Sequence, residues 1–162
     1  MELLLLVAGL LVICFSFVLL FGAPYLPVLT SQMEVALDMV ELKKGQTLLE
    51  LGCGDGKVLV AAASRGWKVV GYELNPILAA IAWLRTRRYR GQVRVVCGNF
   101  WTAQWPKADG IFVFLLDKYM VRLDTKIMQS VPKPVKLVSF AFKVPGRQPT
   151  VTKKGLFRYD YK

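Results

Sequence analysis

The sequence predicts an α/β domain with five parallel strands, helices on both faces of the sheet and a short C-terminal hairpin, behind one N-terminal transmembrane helix. Three observations lead there. From Thr47 onward, short β-rich runs alternate with helical ones, the pattern of strands joined by crossover helices. A glycine-rich turn, Gly52-Cys-Gly-Asp-Gly56, separates the first strand from the helix after it. Leu3 to Phe21 is almost entirely Leu, Val, Ile and Phe. At 162 residues the chain has room for one domain and a short extra segment, expected as 24–162 and 1–23.

Taking the elements in order, the nineteen residues Leu3 to Phe21 would form a helix of about 29 Å, close to the ~30 Å hydrocarbon core of a bilayer. No basic residue precedes the run and Gly22-Ala23-Pro24 follows it, which argues for a retained anchor over a cleaved signal peptide. Glu2 is the only charged side chain before Glu34, so the positive charge, beginning with Lys43 and Lys44, lies C-terminal to the run. The positive-inside rule then expects a single-pass membrane protein with its domain on the cytoplasmic side. Pro24 to Pro27 reads as a stiff linker. Ser31 and Glu34 are spaced as a capping box at the head of an amphipathic helix that reaches Leu42.

Strands are expected at Thr47 to Leu51, Lys68 to Glu73, Val93 to Cys97, Gly110 to Leu116 and Lys136 to Phe142. The helices between them are expected at Lys57 to Arg65, Pro76 to about Arg90 and about Tyr119 to Gln129. Asn75 before Pro76 is suited to cap the second of these. Leu156 to Tyr161 closes the hairpin.

Composition removes whole classes of chemistry. Histidine is absent, which excludes Ser-His hydrolases, Cys-His proteases and histidine-ligated metals. Cys14, Cys53 and Cys97 are scattered, fitting a reducing compartment and no metal cluster.

Attention therefore falls on the glycine turn. A strand followed by glycines and a helix start lets backbone approach a ligand closely. A dinucleotide fingerprint would need Gly-x-Gly-x-x-Gly, but Gly52, Gly54 and Gly56 are spaced Gly-x-Gly-x-Gly and Lys57 stands at the third-glycine position. Glu50 and Asp55 would repel a pyrophosphate and attract a sulfonium or an amine, favouring S-adenosylmethionine. Glu73 closes the next strand, where a carboxylate can accept from both ribose hydroxyls.

With these residues in view, the chain resembles the class I methyltransferases with their Rossmann-like sheet, and more narrowly the family of the ATP synthase c-subunit lysine methyltransferase. The motifs that carry this run from about Pro24 to Gln129: Pro24-Tyr-Leu-Pro27, Gln32 and Glu34, Leu51-Gly-Cys-Gly-Asp-Gly56, Gly71-Tyr-Glu-Leu-Asn-Pro76 and Gly98-Asn-Phe-Trp101. The resemblance implies cofactor contacts at Glu50, Gly52, Gly54, Asp55, Gly56, Glu73, Leu74, Asn75, Asn99 and Phe100, with Asn99 standing where the family usually places an acid against adenine. It also implies a lysine acceptor on a membrane-associated protein of the ATP synthase c-subunit kind.

Acceptor-side candidates are Asp117, at the end of the fourth strand, and the aromatics Tyr25, Tyr119 and Trp101 as channel walls. Capping of the next helix by Asp117, and core packing of the aromatics, are the alternative readings. The base-amine motif of nucleic-acid methyltransferases is missing, since that place reads Leu115-Leu-Asp117, and nucleic acid is not expected as a partner. The basic residues Arg85, Arg87, Arg88 and Arg90, with Lys133 to Lys154, suggest lipid headgroups as a partner. The expected function is S-adenosylmethionine-dependent protein-lysine N-methylation. The alternatives are a small-molecule or lipid methyltransferase, and a non-enzymatic cofactor-binding membrane protein.

Overall fold

The computed structural model describes residues 1, 2, 4–6, 9, 12 and 30–162. The expected transmembrane anchor is not supported: among the described residues no helix is long and apolar enough to cross a membrane. Most of 3–21 lies outside the described residues, and the anchor reading rested on one unbroken helix there. The single-pass placement with a cytoplasmic domain falls with it. Tyr25 and the Pro24 to Pro27 linker also lie outside the described residues.

The first helix of the domain, α1 (Thr30–Val40), begins one residue before Ser31. The capping box is not made, because Glu34 and Asp38 instead accept from Arg65 at 2.5 and 2.7 Å. Five strands follow as expected: β1 (Thr47–Leu51), β2 (Lys68–Glu73), β3 (Val93–Cys97), β4 (Gly110–Val113) and β5 (Val135–Phe140). Between them run α2 (Lys57–Ser64), α3 (Pro76–Arg85) and α4 (Met120–Ser130). The hairpin is β6 (Val151–Lys153) and β7 (Leu156–Tyr161), turned by Lys154 and Gly155 at φ 50° and 75°, as a two-residue primed turn demands.

Several elements stop earlier than their sequence patterns suggest, α3 and β4 by the most. The α3 helix ends at Arg85 because the Thr86 hydroxyl donates back to the carbonyls of Ala82 and Trp83, at 2.8 and 3.2 Å, and a 3-10 turn takes over at Arg87. The β4 pairing ends at Val113, leaving Phe114 to Leu116 beyond the sheet.

The sheet order is β3-β2-β1-β4-β5-β7-β6, with the first five strands parallel and β7 antiparallel to β5. Alternation along each strand sends Leu48, Phe112 and Val138 to the side of α1 and α2, and Leu49, Ile111 and Leu137 to the side of α4. All six are almost fully buried. At roughly 1.5–3 kcal/mol per buried side chain, this two-sided core holds β1, β4 and β5 in the middle. Strand order reverses between β1 and β4, and a crevice beyond the carboxyl ends at such a reversal is where open α/β sheets bind ligands.

Candidate active site

The turn after β1 is bound up by its own hydrogen bonds. The N–H groups of Gly52 and Cys53 both donate to the Tyr72 carbonyl at 2.9 Å, and Gly56 N–H donates to Cys53 O at 2.9 Å. Gly54 N–H donates to Glu73 Oε2 at 2.9 Å, and Lys57 N–H to Asp55 Oδ1 at 3.3 Å. A pyrophosphate needs such groups free. Here they are spent, so recognition falls to carboxylates.

Gly56 has no alternative at its position. Its φ is 80°, and a Cβ would stand 2.9 Å from both Cα and Cβ of Ala82 on α3. Gly52, at φ 86°, faces the opposite situation, since a Cβ there would meet nothing within 4 Å. One glycine packs two helices together, and the other leaves open space at the strand end.

Two acids frame that space. Glu73, at the end of β2, accepts from Gly54 N–H and, through Oε1, from Asn75 N–H at 2.8 Å. Each bond to a charged acceptor contributes about 1.5–3 kcal/mol, so the carboxylate is fixed before any ligand arrives. Glu50 is 4% exposed and its Oε2 has no hydrogen-bond partner among the described residues. Burial, with Glu73 and then Asp55 nearby, pushes its carboxyl well above the usual range. An unpartnered buried carboxylate beside an open strand end fits an ammonium group.

Asn75 caps α3 through Oδ1, accepting from Ile77 and Leu78 N–H at 2.9 and 3.3 Å, while its buried Nδ2 is unpartnered. Leu74 is half-buried between these two polar residues.

Asp55, expected from its charge and from the resemblance as a cofactor contact, is engaged by an arginine in this structure. It forms an ion pair with Arg85 of α3, whose Nη1 also donates to the Asp55 carbonyl at 2.9 Å. Burial raises its carboxyl, but the Arg85 hydrogen bond and charge, with the Lys57 N–H, outweigh burial and hold it below the usual range. Asp55 thus clamps the turn to α3. Cys53 is buried and its thiol pushed far up by that burial and by Glu50 and Glu73, which disfavours the thiolate.

After β3, Asn99 Oδ1 accepts from Trp101 N–H at 2.9 Å, turning the chain and leaving one lone pair and the amide for a ligand. Phe100 is half-buried, with its carbonyl accepting from Trp105 Nε1 at 2.8 Å and its ring 4.7 Å from that of Trp101. Lys126 secures the same loop by donating to the carbonyls of Trp101 and Ala103 at 3.0 and 3.1 Å. Sequence reasoning missed Lys126 and Trp105, because neither belongs to a motif.

Across the crevice, Asp117 is exposed and opens a 3-10 turn without a side-chain capping bond. Tyr119 is half-buried and 5.9 Å from Trp101 ring to ring, and both rings pack against the core on the α4 side of the sheet. Phe114 and Phe140, just past β4 and at the end of β5, meet edge to face at 4.7 Å. That pair was also missed, although Phe112 and Phe114 continue one alternation. A cavity of about 280 Å³ near Arg147, Asp160 and Tyr161 lies by the start of β5, away from these residues.

Comparison with known proteins agrees with this fold. The family described as the ANTKMT methyltransferase domain matches residues 50–151, well over half of the chain. The chain belongs to this family. It is 28% identical over 138 residues to the human ATP synthase c-subunit lysine N-methyltransferase, covering 82% of this chain and 58% of that protein. It is 31% identical over 130 residues to the mouse adenine nucleotide translocase lysine N-methyltransferase, covering 78% and 56%. The chain thus spans little more than half the length of these curated relatives. An RNA methyltransferase from Salinibacter ruber, solved with S-adenosyl-L-homocysteine, superposes with a TM-score of 0.77 at 22% identity, covering 83% of this chain and 93% of that one. At that identity the likeness speaks for the fold.

Proposed function

We propose that this domain binds S-adenosylmethionine at the carboxyl ends of β1 and β2 and transfers its methyl group to a lysine of a membrane-associated protein. The observation that carries the reading is Glu50, a buried carboxylate with an unpartnered oxygen, next to Glu73, a carboxylate already fixed by two backbone N–H groups. Glu50 would take the ammonium of the cofactor and Glu73 its ribose hydroxyls, with Leu74, Asn99 and Phe100 around adenine. When bound, the cofactor supplies a methyl group activated on a sulfonium.

The chain's own residues then have to align an amine and exclude water. An acceptor lysine has an ordinary pKa of about 10.4, so it must reach the site as the neutral amine. Burial of the amine would favour that form by disfavouring hydration of the cation, while the rings of Trp101 and Tyr119 would guide its approach. Exposed Asp117 would hold the approaching lysine by its charge at the mouth, away from the dry interior. The names of the two curated relatives support lysine as the acceptor.

The test is methyl transfer by the full chain to a membrane protein fraction with radiolabelled cofactor. Label recovered as methyl-lysine is expected; label only in extracted lipid, or none in protein, overturns the reading. In the same assay Asp117→Asn is expected to slow transfer roughly tenfold while leaving cofactor affinity unchanged.

A further inference from the structure

The outer face of α3 is unlike that of any other helix in the domain. Ala79 and Ala82 pack inward, while Ile81, Trp83 and Leu84 stand 39%, 52% and 54% exposed within little more than one turn. Directly after them the Arg87 guanidinium lies 5.4 Å from the centre of the Trp83 ring, and that of Arg88 lies 4.9 Å from the Tyr89 ring. From Leu74 to Ala108 the chain contains no Asp or Glu, yet it carries Arg85, Arg87, Arg88, Arg90, Arg94 and Lys107. Arg85 is committed to Asp55, but Arg87, Arg88, Arg90 and Arg94 are exposed and make no ion pair among the described residues.

Such a surface combines hydrocarbon facing water with positive charge that has no counter-charge. We propose that the outer face of α3 docks on the surface of an anionic phospholipid bilayer, without any segment of it crossing the membrane. Ile81, Trp83 and Leu84 sit at the boundary between headgroups and acyl chains, and the arginines that follow meet lipid phosphates. Tryptophan suits that boundary because its ring is apolar while its N–H remains hydrated. Arginine suits it because the stem can lie along apolar surface while the guanidinium stays with phosphate. A nucleic acid would satisfy the arginines and Trp83, but would leave the aliphatic Ile81 and Leu84 against phosphates and water. The bilayer satisfies both halves of the patch, and the proposal stands whether or not the methyl-transfer reading does.

The experiment is co-sedimentation of the full chain with phosphatidylcholine vesicles, with and without phosphatidylglycerol. The apolar N-terminal run can bind either composition, so the quantity read is the ratio of the two affinities. A preference for the anionic vesicles that weakens with salt is expected. Replacing both arginines, Arg87→Gln with Arg88→Gln, is expected to cut that preference roughly 25-fold, about fivefold for each charge removed. Trp83→Ala with Leu84→Ala should weaken binding to both compositions, and circular dichroism should show all variants folded. Equal affinity for the two compositions, or an arginine variant indistinguishable from the parent, overturns the proposal. So does displacement of the protein from vesicles by RNA oligonucleotides that bind through the same arginines.

Discussion

The carboxyl ends of β1 and β2 and those of β4 and β5 face one crevice but are built differently. On the β1 and β2 side, the turn donates its N–H groups to the carbonyls of Tyr72 and Cys53 and to Glu73, three glycines lie at positive φ, and both key acids are buried. On the β4 and β5 side, Asp117 is exposed without a capping bond and the aromatics are half-buried. A ligand that never varies can be met by groups fixed in advance. An acceptor that is itself a protein has to be admitted through a more open side. The division of labour predicts that substitutions on the first side act on folding and cofactor affinity, and those on the second on transfer alone.

The largest effect should come from Gly56→Ala. A left-handed residue with a Cβ 2.9 Å from the backbone of Ala82 combines strain with overpacking, and about 2–5 kcal/mol of stability should be lost, read by urea denaturation. Full stability in this variant would mean that the turn is not the rigid side.

Glu50→Gln should separate stability from binding. The Glu50 carboxyl is raised when folded, so it binds a proton more tightly in the native chain than in the unfolded one. Its contribution to stability is therefore present at acid pH and fades as pH rises above the ordinary glutamate value of about 4.3. The ligand-free variant should be more stable than the parent at neutral pH, by on the order of 1 kcal/mol, and lose that part of the pH dependence. It should also bind cofactor more weakly. Thermal melts across pH, with and without ligand, check both signs.

The smallest effect concerns Asp55. As a clamp on Arg85 it should contribute about 0.5–1 kcal/mol, with Asp55→Ala and Arg85→Ala each destabilising by that much and the double variant no worse than either. Additive losses, or a large fall in cofactor affinity specific to Asp55→Ala, would return Asp55 to the ligand.

The same division governs what the sequence made legible. Spacing of Gly52, Gly54 and Gly56 and the positions of Glu50 and Glu73 are local facts, and the first two strands fall where their residues indicate. The role of Asp55 depended on Arg85, thirty residues away, and charge alone could not show which partner it would take. Glu34 likewise left its expected cap for Arg65. Residues at or just past the ends of β4 and β5, such as Phe114 and Phe140, come together only through the pairing of these strands, so no single window shows them. The N-terminal run was read from hydropathy alone, and among the described residues no helix is long and apolar enough to cross a membrane.

Glu73, the carboxylate fixed in advance on the cofactor side, is where the division between the two sides can be tested most directly. Calorimetric titration of S-adenosylhomocysteine into the full chain should give saturable binding, weakened at least about a hundredfold in Glu73→Ala and unchanged in Asp117→Asn. Equal heats in the parent and a folded Glu73→Ala would contradict it.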